Sequence, residues 1–166
     1  MLTKSRYQSP LGAMTLLADN EKLVGIYFED QKYFMAGFDG KEIAEQETEV
    51  LRRTIFWLDE YFAGKNPDHV HLSTAPKGTD FQKKVWAALA NIPYGQTITY
   101  GDLAKQLDCK SAQAIGSAVG KNPLSILVPC HRVLGAGGKL VGYAGGLDRK
   151  QILLTLEGND DFLRIS

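Results

Sequence analysis

Apolar positions come in short runs over residues 1–38. Ala13 to Ala18 and Leu23 to Phe28 are two such runs. Asp19-Asn20-Glu21-Lys22 separates them with the turn chemistry of a hairpin, and Ser9-Pro10-Leu11-Gly12 supplies an earlier turn. This part of the chain predicts strands. Further on the period lengthens. Leu51, Ile55, Leu58 and Phe62 fall at i, i+4, i+7 and i+11, one stripe of a helix expected from about Ala44 to Phe62. Gly64 stands where such a helix should stop. Residues 64–78 hold Gly64, Pro67, Pro76 and Gly78 without any period and read as a linker.

The second half is patterned for helices. Thr79 and Gln82 have the spacing of a capping box, ahead of an apolar face made by Phe81, Val85, Trp86 and Leu89. Pro93-Tyr94-Gly95 breaks that helix, and Thr97 to Tyr100 is a short β-branched and aromatic run. Thr99 caps a second short helix, from which Leu103 and Leu107 face inward. Asp108-Cys109 turns tightly into a third helix over about Ser111 to Gly120, so the pair predicts a helix-turn-helix. Leu124 to Val128 follows as a buried strand, then a glycine-dense segment from Gly135 to Gly146. A last helix is expected over about Leu147 to Leu156, ended by Glu157-Gly158.

The third helix has two unlike faces. Ile115, Ala118 and Val119 suit a core. Gln113, Gly116, Ser117 and Gly120 lie at i, i+3, i+4 and i+7 on another face, uncharged and mostly tiny. Each glycine costs such a helix roughly 1 kcal/mol relative to alanine. Close packing inside the protein would explain the face. So would approach to a DNA minor groove, which is only about 6 Å wide.

Charge adds a hint. The net charge is zero, yet residues 1–78 carry nine Lys/Arg against twelve Asp/Glu, and residues 79–166 carry ten against seven. A basic C-terminal half is what a DNA-facing half would show, although chance asymmetry explains it as well. No stretch is apolar for long enough to span a bilayer, and residues 1–12 have no apolar secretory core, so a cytoplasmic protein is expected. Two cysteines and three histidines, without CxxC or HxxxH spacing, leave no evident metal site.

Cys130 ends the Leu124–Val128 run and is followed by His131. A positioned histidine can supply the thiolate that makes cysteine a nucleophile. A small core cysteine is the equal alternative. In an extended strand neighbours point to opposite faces, so direct contact of the two would need a turn or a bridging water.

These residues sit in a longer pattern. Asn122-Pro123, Val128-Pro129-Cys130-His131-Arg132-Val133, Gly142-Tyr143-Ala144-Gly145-Gly146-Leu147 and Glu157-Gly158 agree in spacing with one family. Phe81, Trp86, Pro93, Gly95 and Ile98-Thr99-Tyr100 extend the agreement. The chain resembles the O6-alkylguanine-DNA alkyltransferases (methylated-DNA–protein-cysteine methyltransferases), in their bacterial Ogt-like form, over residues 79–158. The N-terminal half is similar only through Ser9-Pro10-Leu11-Gly12 and Tyr61-Phe62-Gly64.

The resemblance implies an α/β, ribonuclease-H-like N-terminal domain with a small antiparallel sheet over residues 1–78, linker included. It implies a mostly helical, winged-helix-like C-terminal domain with the helix-turn-helix over residues 79–166. The implied activity is DNA repair by a single, irreversible transfer of an alkyl group from O6 of guanine to Cys130. Glu157 would orient His131, which would take the cysteine's proton through a water. Tyr100 would reach the guanine ring, and the backbone around Val133, Tyr143 and Ala144 would form the base pocket, Ala144 standing where many members have serine. Asn122 would tie the recognition helix to the active-site turn. Arg132, Gly116 and Ser117 complete the expected substrate- and DNA-binding set. Gln113 stands where many members carry an arginine that fills the gap left by the flipped base. The implied partner is double-stranded DNA carrying O6-alkylguanine, bound through the minor groove by a monomer, with no cofactor and no membrane.

Two other classes compete. A non-catalytic alkyltransferase-like lesion binder shares the architecture but lacks the nucleophilic cysteine, which is present here as Cys130. A cysteine hydrolase built on Cys130 and His131 would leave the helix-turn-helix unexplained.

Overall fold

The computed structural model describes residues 1–159. Residues 160–166, the end of the expected C-terminal domain, lie outside the described residues. The chain forms two compact units. One is Met1–Lys77 together with Pro123–Leu127; the other is Gly78–Asn122 with the chain from Val128 onward.

The first unit is built on strands β1 (Leu2–Ser9), β2 (Gly12–Asp19), β3 (Lys22–Phe28) and β4 (Ile43–Glu45) in the order β3-β2-β1-β4. The first three form the expected antiparallel meander. Asn20 takes a left-handed φ of 53° in the hairpin turn, a conformation asparagine tolerates. β4 departs from expectation. It pairs parallel with β1, Leu2 opposite Ile43, so the sheet is mixed. Ile43–Glu45 is therefore not helical, and helix α1 spans Glu49–Phe62 instead of starting near Ala44. The pairing satisfies edge groups of β1 that would otherwise lack partners. The strands also end sooner than residue 38. Residues 29–42 are mostly turns, with left-handed φ at Tyr33 and Met35.

α1 contacts β1, β2 and β3. Its buried stripe is Val50, Leu51, Thr54, Trp57, Leu58 and Tyr61, rotated from the expected one so that Ile55 and Phe62 are only half-buried. The rotation lets Thr54 and Tyr61 share the core. Gly64 ends the helix as expected. At φ +89° its N–H donates to the Tyr61 carbonyl at 3.0 Å.

The expected strand at Leu124–Val128 is not one. Leu124 makes a single parallel bridge to Ile26, and Ile126 turns the chain with φ +72°. Burial is retained, because Ser125 N–H donates to the Ile26 carbonyl at 3.0 Å and its hydroxyl to Gln31 Oε1 at 3.1 Å.

The second unit opens with α2 (Asp80–Ala90) and the complete Thr79–Gln82 capping box. Val85, Trp86 and Leu89 are buried, but Phe81 remains 37% exposed and is not part of the apolar face. Only Ile98–Thr99 (β5) of the Thr97–Tyr100 run is a strand, because Thr99 accepts from Asp102 N–H and starts α3 (Tyr100–Gln106) at Tyr100. The turn at Asp108 leads to α4 (Ala112–Gly120), capped by Ser111 accepting from Ala114 N–H. A 3₁₀ turn, Cys130–Arg132, leads into β6 (Val133–Leu134), which pairs parallel with β5. α5 spans Leu147–Leu156. Val85, Leu89, Leu103, Ile115, Val119, Val133 and Cys130 share one core. Trp86 Nε1 donates to the Ala118 carbonyl at 2.9 Å, so α2 satisfies a carbonyl near the end of α4.

Candidate active site

Cys130 is buried against the core of the second unit, yet its backbone is a 3₁₀ turn and not an extended strand. This removes the opposite-faces problem posed by the sequence. Pro129, with ψ of 65°, bends the chain so that Cys130 N–H donates to the Val128 carbonyl at 2.8 Å. The Asn122 amide donates to the same carbonyl at 2.8 Å. It also bonds the Cys130 sulfur, which favours the thiolate. Burial is the larger influence and pushes the thiol pKa up.

His131 is fully buried. Its Nε2 lies 2.7 Å from Glu157 Oε2. Glu157 also accepts from Arg132, Nε to Oε1 at 2.7 Å and Nη2 to Oε2 at 3.0 Å. Burial alone would raise the Glu157 pKa, but His131 and Arg132 together lower it to about 2, so it is a carboxylate. Burial pushes His131 below its ordinary value, so the ring is neutral at pH 7. A carboxylate can only accept, which places the single ring proton on Nε2. Nδ1 is then a lone-pair acceptor. It is buried and makes no hydrogen bond within the described residues. A neutral imidazole oriented by a carboxylate with its second nitrogen open is built to take a proton.

Around this relay stand two tyrosines held in the hydroxyl form by burial, Tyr100 at the start of α3 and Tyr143. The Tyr143 ring meets His131 edge-on at 6.5 Å, and its buried hydroxyl has no partner among the described residues. Ala144 follows, half-buried. Gly95 needs to be glycine, having φ +80° and a Cβ position 3.1 Å from the Glu157 carbonyl.

The structure brings Cys130, His131, Glu157, Tyr100, Tyr143, Asn122 and Val133 together in one unit, but it corrects Arg132. That side chain is 8% exposed, gives Nη1 to the Ile92 carbonyl at 2.6 Å and spends its other donors on Glu157. It is buried inside the unit and presents no free side to an exposed, DNA-facing surface. Gln113 and Ser117 are exposed on α4, and a Cβ at Gly116 or Gly120 would meet nothing within 4 Å. Packing inside the protein therefore does not explain those glycines. Lys150, which the sequence pattern did not single out, is fully buried in α5. A signal was present: Lys150, Leu153, Leu154 and Glu157 lie at i, i+3, i+4 and i+7, so two charged residues occupy the buried stripe.

Fold and site together place a buried cysteine, a hydrogen-bonded histidine–glutamate pair and a helix-turn-helix in one unit. Comparison with known proteins agrees. Residues 80–159 match the DNA binding domain, and residues 2–73 the ribonuclease-like domain, of 6-O-methylguanine DNA methyltransferase. The methylated-DNA–protein-cysteine methyltransferase of Methanosarcina acetivorans is 45% identical over 92% of this chain and 96% of its own length. That of Haemophilus influenzae is 39% identical over 91% and 83%. The crystal structure of Mycobacterium tuberculosis OGT in complex with DNA superposes with a TM-score of 0.84 at 38% identity, over 93% of this chain and 92% of that one. The chain belongs to the methylated-DNA–protein-cysteine methyltransferase family.

Proposed function

We propose that this protein repairs DNA by accepting, once and irreversibly, the alkyl group of O6-alkylguanine on Cys130. The observation that carries the reading is the His131–Glu157 pair: Nε2 lies 2.7 Å from Glu157 Oε2, and Nδ1, in the same turn as the buried sulfur, has no partner among the described residues. His131 takes the thiol proton through a water. The thiolate then attacks the alkyl carbon, so a C–S bond forms as the C–O6 bond breaks, and the electron pair leaves with the guanine. The Tyr100 hydroxyl, kept protonated by burial, faces the ring and stabilises the charge that develops there. A thioether offers no leaving group, so the protein acts once, and no step calls for a cofactor.

The small-residue face of α4 suits the minor groove of duplex DNA, because open space at Gly116 and Gly120 lets the helix backbone come close. Gln113 fills the gap left by the extruded base, with Ser117 beside it on the same face; flipping costs roughly a few kcal/mol. The backbone at Val133, Tyr143 and Ala144 receives the flipped base. We place the protein in the cytoplasm with the DNA, acting as a monomer. No helix among the described residues is long and apolar enough to cross a membrane.

Intact-protein mass after incubation with an O6-methylguanine duplex tests this. One methylene added per chain, absent in Cys130→Ala, supports it. An unchanged mass despite binding to the duplex would replace it with a lesion-binding role.

A further inference from the structure

Lys150 has no part in the scheme above, yet α5 buries it completely. Its Nζ donates to the carbonyls of Val133, Val141 (2.9 Å) and Gly142 (2.8 Å), and stands 5.9 Å from the centre of the Tyr100 ring. An ammonium has three donors, so all are used. Every acceptor is neutral. No carboxylate among the described residues is within ion-pair distance of Lys150. A buried cation without an anionic partner is costly to keep.

The other groups near Cys130 do not supply a net charge. His131 is neutral, and Glu157 and Arg132 cancel each other. Tyr100 from α3 and Tyr143 from the loop are both hydroxyls. Arg149, on the same helix as Lys150, is a further cation, but it donates to the Gly145 carbonyl and acts on Tyr143 rather than on Cys130. Lys150 thus places an uncancelled positive charge beside the turn that carries the nucleophile, only three residues from the sulfur through the Val133 carbonyl.

We propose that Lys150 is the counter-ion of the Cys130 thiolate and, through its hold on the Val133 and Gly142 carbonyls, a positioning residue for alkyl transfer. The proposal rests on Cys130 being the acceptor, as argued above. Each group favours the charged form of the other. Burial lowers the Lys150 pKa to about 8, which leaves it cationic at neutral pH.

The test uses the full chain without DNA. Alkylation by iodoacetamide is followed across a pH series, with peptide mass separating Cys130 from Cys109. In Lys150→Met and Lys150→Gln the midpoint for Cys130 should rise by about one unit or more, with roughly tenfold slower reaction at neutral pH. Lys150→Arg, which keeps the charge, should stay near the wild-type profile. A folded Met or Gln variant with the wild-type midpoint overturns the proposal, because a purely structural clamp would leave the thiol's titration alone. Should the Met variant not fold, the Gln variant, which retains an N–H donor for the carbonyls, gives the same comparison. Failure of the repair reading appears separately, as a wild-type chain that gains no mass from O6-methylguanine DNA.

Discussion

The two oxygens of Glu157 are each engaged at 2.7 Å, Oε2 by His131 Nε2 and Oε1 by Arg132 Nε. One buried carboxylate thus fixes the histidine tautomer and neutralises a buried guanidinium. Glu157→Gln should lose both services. Transfer to O6-methylguanine DNA, followed by single-turnover mass spectrometry, should slow by about 10²–10⁴, the range for a misoriented base in such relays. A wild-type rate in a folded Gln variant would remove Glu157 from the mechanism.

Arg132 gives a prediction of the opposite kind. Its donors are spent inside the unit, so Arg132→Met should cost about 3–5 kcal/mol in urea unfolding, as expected when a buried pair loses one partner. The slope of log duplex affinity against log salt should not change, because no phosphate contact is lost. A slope reduced by about one would restore Arg132 to the DNA-facing surface.

Acid should destabilise the protein in two stages. His131 has a depressed pKa when folded, so below its ordinary value of 6.5 the unfolded chain binds a proton the folded one refuses, and stability falls. Glu157 is depressed from 4.5 to about 2, so its contribution is complete above pH 4.5 and is lost as pH falls toward 2. At the alkaline end Lys150, depressed from 10.5 to about 8, has the same sign, and stability gains from it as pH rises from about 8 toward 10.5. Urea midpoints across pH should show the first stage vanish in His131→Gln.

Gly116 separates stability from DNA binding. A methyl group there meets nothing within 4 Å, so Gly116→Ala should raise stability by about 1 kcal/mol through helix propensity. On a groove-facing helix the same methyl should weaken duplex binding about tenfold, or roughly 1.4 kcal/mol. Greater stability with unchanged affinity would move the DNA surface away from α4.

Gln113 is exposed on that helix and carries no charge. Gln113→Arg should tighten duplex binding and steepen its salt dependence by about one unit of slope. If affinity and repair rate both stay the same, the position does not enter the duplex.

Local signals in the sequence were reliable where one residue decides the geometry. Thr79, Thr99 and Ser111 each start the helix expected of them, Gly64 stops one, and α5 has the expected bounds. Errors came where tertiary partners decide. Ile43–Glu45 is a strand because β1 offers an edge, and Leu124–Val128 is irregular because it is held through Ile26 and Gln31. Periodicity alone sees neither partner. The site divides in the same way. Cys130 and His131 are visible as a motif, and the family pattern marks Glu157. The burial of Arg132 and Lys150 depends on carbonyls distant in sequence, at Ile92, Val141 and Gly142, that no local window contains.

The five residues Pro123–Leu127 belong to the fold of the N-terminal half although they are encoded deep within the C-terminal half. The halves are therefore not interchangeable cassettes. A gene fragment starting at codon 79 would encode α4 and Cys130 intact, but also a Leu124 and Ile126 stripped of their apolar surroundings. The complementary fragment would leave Ile26 without its backbone partners. Recombination that shuffled whole protein modules would have to carry both halves together, or rebuild this short excursion each time.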